Sequence, residues 1–84
     1  MSILENLEQV LLTEIISIDL GKKSLDPDED LLEQGIIDSL GIMKLILHME
    51  GTFSIVVADE EIVPENFQTL NNIVKFVEQK MQNK

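Results

Sequence analysis

The stretch "QGIIDSLGIMKL", Gln34 to Leu45, determines how the rest of the chain is organised. A glycine and two isoleucines lead into an acid, a serine and a strongly apolar segment. Asp and Ser are residue types that begin helices, because their side chains accept hydrogen bonds from the free N–H groups of the first turn. We therefore predict a helix that starts at Asp38-Ser39 and runs to about Thr52.

The apolar residues of this second helix cover more than one of its faces. They are Leu40, Ile42, Met43, Leu45, Ile46, Leu47 and Met49. A helix that is apolar over most of its circumference either lies at the centre of a core or offers one side to a partner. A chain of 84 residues has little capacity to bury all of them. We expect some of these side chains to be exposed.

A first amphipathic helix is predicted upstream, in "SILENLEQVLLTEIISIDL". Ser2 with Glu5 three residues later forms a capping box, in which each side chain bonds a free backbone N–H of the other residue. Apolar residues then recur at three- and four-residue spacing, which places them on one face: Leu4, Leu7, Leu11, Ile15 and Ile18. The helix should end near Leu20-Gly21, where glycine can adopt the left-handed conformation.

A long first loop rich in turn formers connects these two helices. Pro27 is placed to begin a short helical turn through Leu32, which Gly35 can end. The apolar residues of the loop should attach it to the core; they are Leu31, Leu32, Ile36 and Ile37.

Downstream, Phe53 to Val57 has the composition of a strand but no evident partner strand, so we predict an extended loop. Pro64 suits the first position of a short helix through Phe67. Thr69 can cap a last helix with Lys80 and Lys84 near its C-terminal end, where positive charge is favoured. The predicted core face of this helix is Leu70, Ile73, Val74, Val77 and Met81.

The predicted fold class is therefore all-α, a small bundle of three main helices plus one short helix, with a long first loop. We expect residues 1–84 to form a single domain and a monomer. Sixteen acids against six bases give a net charge of −10, which argues against nucleic acid and anionic membranes as partners. No signal peptide or membrane-spanning run is evident, so a cytoplasmic location is expected.

The sequence offers little for catalysis or metal binding. Asp26, Asp28 and Asp30 alternate as in a calcium loop, but Leu31 stands where glycine is needed and Ile37 where a bidentate glutamate is needed. Cysteine is absent and His48 is the one histidine of the chain, so no metal site is predicted.

A serine nucleophile is excluded by helical geometry. Ser39 and His48 lie nine residues apart, which on one helix means about 13–14 Å along the axis and opposite faces. A serine must lie within hydrogen-bonding distance of its general base. We predict that the protein is not an enzyme and that His48 is a partly exposed surface or interface residue.

Ser39 is then either a helix-start residue or an attachment site. Asp38 is itself a good cap, so the Ser39 hydroxyl is not needed for capping. It would project from the helix start beside a long loop, where free N–H groups and the positive end of the helix favour a phosphodiester. These observations favour attachment without excluding a structural serine.

The segment "GIIDSLG", Gly35 to Gly41, resembles the Asp-Ser-Leu signature of the acyl carrier protein family, which includes aminoacyl and peptidyl carriers. The resemblance covers nearly the whole chain, from the first helix through the acidic loop to the closing helix. It implies that Ser39 carries a phosphopantetheine arm, added from coenzyme A by a phosphopantetheinyl transferase. The thiol of that arm would hold an acyl or aminoacyl group as a thioester.

The resemblance also implies the partners. An adenylating ligase would load the arm, and downstream enzymes would use the carried group in a biosynthetic pathway. The second helix is the main recognition element of the family, so the residues implied in partner contacts are Asp38, Leu40, Met43, Lys44 and Leu47. Each can instead be ordinary core or cap, and Leu47 fits either role equally.

Two residues depart from the carriers of fatty-acid synthesis. Gly41 stands where those carriers usually have an acid, and Lys44 where they often have a glutamate. The pattern is closer to stand-alone carriers of aminoacyl or specialised acyl groups, such as D-alanyl carriers or carriers of secondary metabolism. The alternative is a small acidic adaptor that binds a partner through its second helix and is never modified.

Overall fold

The computed structural model describes residues 2–15, 26–33, 35 and 37–82. Over these residues the chain forms four α-helices: α1 (Ile3–Val10), α2 (Ser39–Phe53), α3 (Pro64–Phe67) and α4 (Leu70–Gln82). A π-helical turn, Leu11–Ile15, extends α1, and a 3₁₀ turn, Asp59–Glu61, precedes α3. The described part of the chain contains no β-strand, so the predicted all-α class is confirmed. None of the helices in these ranges is long and apolar enough to cross a membrane.

The start of α1 follows the predicted capping box. The Glu5 backbone N–H donates to the Ser2 hydroxyl at 3.1 Å, and the Ser2 N–H donates to the Glu5 carboxylate at 3.4 Å. Leu7 and Leu11 are buried as predicted, and Val10, which the predicted face omitted, is buried beside them.

The regular α-helix is shorter than predicted, because it becomes a π-helical turn after Val10. The Thr13 hydroxyl donates to the Gln9 carbonyl at 2.8 Å, a contact that perturbs regular helical hydrogen bonding. The predicted helix end at Leu20-Gly21, the core position Ile18 and the side chain of Ile15 lie outside the described residues.

The acidic loop is attached to the junction between α3 and α4. The Leu31 N–H donates to the Gln68 carbonyl at 2.7 Å, and the Asn71 N–H donates to the Pro27 carbonyl at 3.0 Å. The side-chain amides of Gln68 and Asn71 donate to the carboxylates of Asp30 and Asp28 at 2.6 and 2.7 Å. The alternating acids are thus engaged in hydrogen bonds that hold the loop in place.

The local form of this loop differs from the predicted helical turn. Residues 27–33 form separate turns, because Asp26 and Asp30 accept backbone N–H groups two or three residues ahead of them. Gly35 has φ +71°, the left-handed conformation expected of a terminating glycine. Leu31 and Ile37 are buried and Leu32 packs against the core, whereas Ile36 lies outside the described residues.

The C-terminal half agrees with most of the predictions. Phe53 was predicted in the loop but is the last residue of α2, Ser54 closes that helix in the left-handed conformation, and residues 54–58 belong to no helix or strand, as predicted for this loop. Pro64 occupies the first turn of α3. The Thr69 hydroxyl accepts the Asn72 N–H at 3.1 Å and so caps α4. Met81 was predicted in the core but is 40% exposed, because the last turn of α4 extends beyond the core.

One core centred on α4 joins these elements. Phe76 is buried there although the predicted face omitted it, and its ring lies 5.6 Å from that of Phe67. The other α4 residues in the core are Leu70, Ile73 and Val77, and α2 contributes Leu45, Ile46 and Met49. This packing holds α2 by one side only and determines which of its residues face away from the core.

Candidate functional site

Ser39 is the first residue of α2 and the geometry around it is set by Asp38. The Asp38 carboxylate accepts the Gly41 N–H at 2.8 Å, and its carbonyl accepts the Ile42 N–H at 2.9 Å. Asp38 therefore caps the helix, as predicted. Because the cap is supplied by its neighbour, the hydroxyl of Ser39 is available for another role.

The Ser39 side chain is exposed and makes no hydrogen bond to any described residue. The backbone N–H groups of Ser39 and Leu40 are likewise without a partner in this part of the chain. Unpaired N–H groups and the positive end of a 15-residue helix favour a negatively charged group at this position.

An apolar groove of about 360 Å³ begins at Ser39 and runs between α2 and the segment that leads into α3. Ile42 and Met43 form its α2 side, Leu32 contributes from the acidic loop, and Ile62, Pro64 and Phe67 form the opposite side. The sequence did not predict the side of the groove that Ile62, Pro64 and Phe67 form. The signal available for it was Pro64, which fixes the start of α3 and so turns the preceding apolar residues toward α2.

His48 lies in a different environment from Ser39. Its Nε2 atom is 2.8 Å from the side-chain oxygen of Asn6 on α1, and its ring lies edge-on to Phe53 with centroids 6.5 Å apart. It lines a separate small cavity between α1 and α2 that does not include Ser39. The histidine is half-buried, and the structure does not bring it to the serine.

The predicted partner-binding residues of α2 are all on the surface. Leu40 is 64% exposed, Met43 48% and Leu47 67%, and Asp38 and Lys44 are also exposed. The sequence allowed Leu47 equally to be a core residue or a partner-contact residue. Its exposure shows that it is not a core residue. Exposed apolar side chains grouped on one helix are typical of an interaction surface.

Two carboxylates near the groove have lowered pKa values. Hydrogen bonds from the Glu33 N–H and the Gln68 amide lower the pKa of Asp30 below its ordinary value. The Lys80 ammonium, 2.8 Å away, and then the Ala58 N–H lower the pKa of Glu61 in the same direction. Asp30 thus links the acidic loop to the junction between α3 and α4, and Glu61 links the 3₁₀ turn to the last turn of α4.

Residues 9–77 match the family model described as the phosphopantetheine attachment site. The chain belongs to this family. It is a carrier protein with covalently attached phosphopantetheine, and the features around Ser39 fit such a group: an exposed hydroxyl, N–H groups that have no partner among the described residues, and an apolar groove alongside.

Several curated proteins are similar to part of this carrier. The D-alanyl carrier proteins of Streptococcus pyogenes serotype M5 (strain Manfredo), serotype M49 (strain NZ131) and serotype M1 are each 42% identical to it over 52 residues. The similarity covers 62% of this chain and 66% of each relative. The chain thus matches slightly less than two thirds of the length of these relatives.

Proposed function

We propose that Ser39 is the residue to which phosphopantetheine is attached. The observation that carries this proposal is the exposed Ser39 hydroxyl at the first position of α2, which bonds none of the described residues and lies within the segment matched by the family model. Ser2 is committed to the cap of α1, and Ser54 lies at the opposite end of α2 from the groove, in the left-handed conformation. Among the described serines, Ser39 alone lines the apolar groove.

The attached group supplies a terminal thiol that holds an acyl or aminoacyl group as a thioester, which a chain without cysteine cannot do itself. The chain's own residues position and shield the attachment point. Asp38 holds the first turn of α2 in place, and the N–H groups of Ser39 and Leu40 favour the negative phosphodiester. The groove offers apolar surface to the less polar part of the arm.

The carried group is, on this proposal, an amino acid or a specialised acyl group. D-alanine is the first candidate, because the relatives described above are D-alanyl carrier proteins. The departures at Gly41 and Lys44 support a specialised pathway, since they remove or reverse charge on the helix that meets the partner enzymes. The loading partner is then an adenylating ligase that activates D-alanine.

Mass spectrometry tests the attachment site. Incubation of the protein with coenzyme A, Mg²⁺ and a broad-specificity phosphopantetheinyl transferase should add one phosphopantetheine, and fragmentation should place it on Ser39. Ser39→Ala should remain unmodified. Ser54→Gly is the matched control, because it removes another exposed hydroxyl at a position where φ is +57° and glycine is favoured.

Modification of Ser39→Ala to the same extent as the unaltered protein would refute the assignment. The alternative of an unmodified adaptor makes a different prediction, because Ser39→Ala should then retain full function in a strain that lacks the natural protein. Membership of the phosphopantetheine attachment family supports the carrier over the adaptor.

A further inference from the structure

Asp30 and Gln68 form a pair, which we call the Asp30–Gln68 clamp, that joins the acidic loop to the chain between α3 and α4. The side-chain amide of Gln68 donates to the Asp30 carboxylate at 2.6 Å, and the Gln68 carbonyl accepts the Leu31 N–H at 2.7 Å. The other oxygen of the Asp30 carboxylate accepts the N–H groups of Leu32 and Glu33 at 3.1 and 2.8 Å. Both side chains of the clamp are half-buried, which strengthens these hydrogen bonds relative to bonds in water.

Hydrogen bonds lead from this clamp to Ser39. The Leu31 carbonyl accepts the Ile37 N–H at 3.2 Å, and Ile37 is buried two residues before Ser39. Asp38, which lies between them, caps α2. The residue that precedes the cap is thus tied through Leu31 to the clamp, so the clamp helps to fix the point at which α2 begins.

The clamp also adjoins the apolar groove beside Ser39. Leu32, two residues after Asp30, and Phe67, which directly precedes Gln68, both line the groove. The two side chains of the clamp line a second cavity, of about 330 Å³, which shares Leu32 with the groove. The clamp therefore holds together two segments that form the groove, in addition to the start of α2.

We infer that Gln68 is a positioning residue for the attachment of phosphopantetheine, acting through Asp30 and the acidic loop on the Ser39 hydroxyl. The inference rests on the proposed function, in which Ser39 is the attachment site. The Ser39 oxygen must there bond to the phosphorus on the pantetheine side of coenzyme A. The bond from that phosphorus to its bridging oxygen breaks, adenosine 3′,5′-bisphosphate leaves with this oxygen, and the serine proton is released to solvent. A misplacement of about 1 Å can slow such a step by about 100-fold, so a residue remote from the hydroxyl can affect the rate.

The test exchanges donor and acceptor within the clamp. Gln68→Glu removes the donor and places a second carboxylate against Asp30, so the two side chains repel each other. Combining Asp30→Asn with Gln68→Glu restores one amide and one carboxylate in reversed positions. The new amide oxygen can accept the N–H groups that Asp30 accepts, and the new amide nitrogen can donate to the new carboxylate. Gln68→Met removes the donor without adding charge.

Asn71 and Asp28 provide the matched control. The Asn71 side-chain amide donates to the Asp28 carboxylate at 2.7 Å, which is the same kind of bond at an exposed part of the loop. Neither residue lines the groove. Asn71→Asp makes the same amide-to-carboxylate change as Gln68→Glu and alters the net charge by the same amount. Melting temperatures are measured first, so that rates are compared at a temperature at which every variant is folded.

The rates are measured on the full chain with coenzyme A, Mg²⁺ and a broad-specificity phosphopantetheinyl transferase. Gln68→Glu should lower kcat/KM for the modification of Ser39 by about tenfold, and Gln68→Met should lower it in the same direction. The double variant should return to within about twofold of the unaltered protein, since residues in contact are coupled. Asn71→Asp should change the rate by less than about twofold. In NMR spectra, Gln68→Glu should also shift the amide resonances of Ile37 and Ser39, which Asn71→Asp should leave in place.

Equal rates for Gln68→Glu and Asn71→Asp would overturn the inference, and so would a double variant that is as slow as Gln68→Glu. If Gln68→Glu does not fold, Gln68→Met takes its place, and a rate equal to that of the unaltered protein then overturns the inference. Failure of the proposed function gives a different result, namely no phosphopantetheine on the unaltered protein or phosphopantetheine on a residue other than Ser39.

Discussion

The helices α2 and α4 place their apolar residues differently. The difference distinguishes apolar residues that stabilise the core from apolar residues that are left on the surface. In α4 the large apolar side chains lie on the core side, and Leu70, Ile73 and Val77 are fully buried. Only Met81, in the last turn, departs from that arrangement among the described residues of the helix. This is the pattern of a helix whose role is to complete a core.

In α2 the apolar residues occupy both sides. Leu45 and Met49 are fully buried, whereas Leu40 and Leu47 are each about two-thirds exposed. Exposed leucines add nothing to the core and favour aggregation, so their presence on one helix and near absence on the other indicates a surface kept for contact. Ser39 begins this helix, so the proposed attachment site and the exposed apolar surface are held on one rigid element.

The largest expected effect contrasts two leucines of α2. Leu45→Ala should lower the free energy of unfolding by about 3 kcal/mol, because it opens a cavity where the side chain is fully buried. Leu47→Ala, two residues further along, should change it by less than about 0.5 kcal/mol, since that side chain is exposed. Urea denaturation followed by circular dichroism measures both.

Ile73→Ala extends the test to α4 and should behave like Leu45→Ala, as Ile73 is also fully buried. Equal losses for Leu45→Ala and Leu47→Ala would mean that both sides of α2 are packed in solution. The distinction between the two helices would then disappear.

A smaller effect is expected at the start of α2. Asp38→Ala should lower the free energy of unfolding by about 1 kcal/mol, because the Gly41 N–H loses its acceptor. Asp38→Asn should retain most of the stability, since the amide oxygen can accept the same hydrogen bond. Thermal or urea unfolding of the unmodified protein provides the measurement.

The same pair of variants separates capping from partner contact. Modification kinetics of Asp38→Asn that equal those of the unaltered protein would assign Asp38 to capping alone. A loss of modification rate at full stability would show that the transferase recognises the charge of Asp38.

The smallest effect concerns Glu61, which ties the 3₁₀ turn to α4 through Lys80 and whose pKa is lowered by that contact. A carboxylate with a lowered pKa in the folded state contributes stability above its ordinary pKa and loses it as the pH falls through the lowered value. Glu61→Gln should therefore be less stable than the unaltered protein at neutral pH, by less than about 1 kcal/mol. The difference should shrink below about pH 4.5, where carboxylates become protonated.

Melting temperatures across a pH series measure this effect. The control is Glu60→Gln, which removes an adjacent exposed carboxylate that makes no hydrogen bond to the described residues. A difference between Glu61→Gln and the unaltered protein that does not depend on pH would show that the ion pair with Lys80 contributes nothing to stability.

Features that depend on neighbouring residues in the sequence were predictable. The cap at Asp38, the capping box of Ser2 and Glu5, the Thr69 cap and the position of Pro64 all follow from side chains that bond backbone groups a few residues away. The apolar excess of α2 likewise predicted that part of it would be exposed. These interactions are local, so the sequence alone is enough to identify them.

Other features could not be predicted because they depend on contacts between distant segments. The acidic loop is held by Gln68 and Asn71, which lie about forty residues away from their partners Asp30 and Asp28. Phe76 is buried because it meets Phe67 of α3, and Met81 is exposed because the core ends before the last turn of α4. Helical periodicity places residues on a face, but it does not determine how far along the helix the core extends.

The sequence by itself determined the all-α class, the start of α2 at Asp38-Ser39 and that Asp38, rather than Ser39, caps this helix. Each of these depends on short-range hydrogen bonding and helical periodicity. Only the tertiary structure decided which side of α2 is left exposed, and so that Leu47 belongs to the surface. It also decided that Ile62, Pro64 and Phe67 form a groove beside Ser39. The physical reason is that burial is a property of the packed bundle: an apolar residue is exposed or buried according to what other helices place against it.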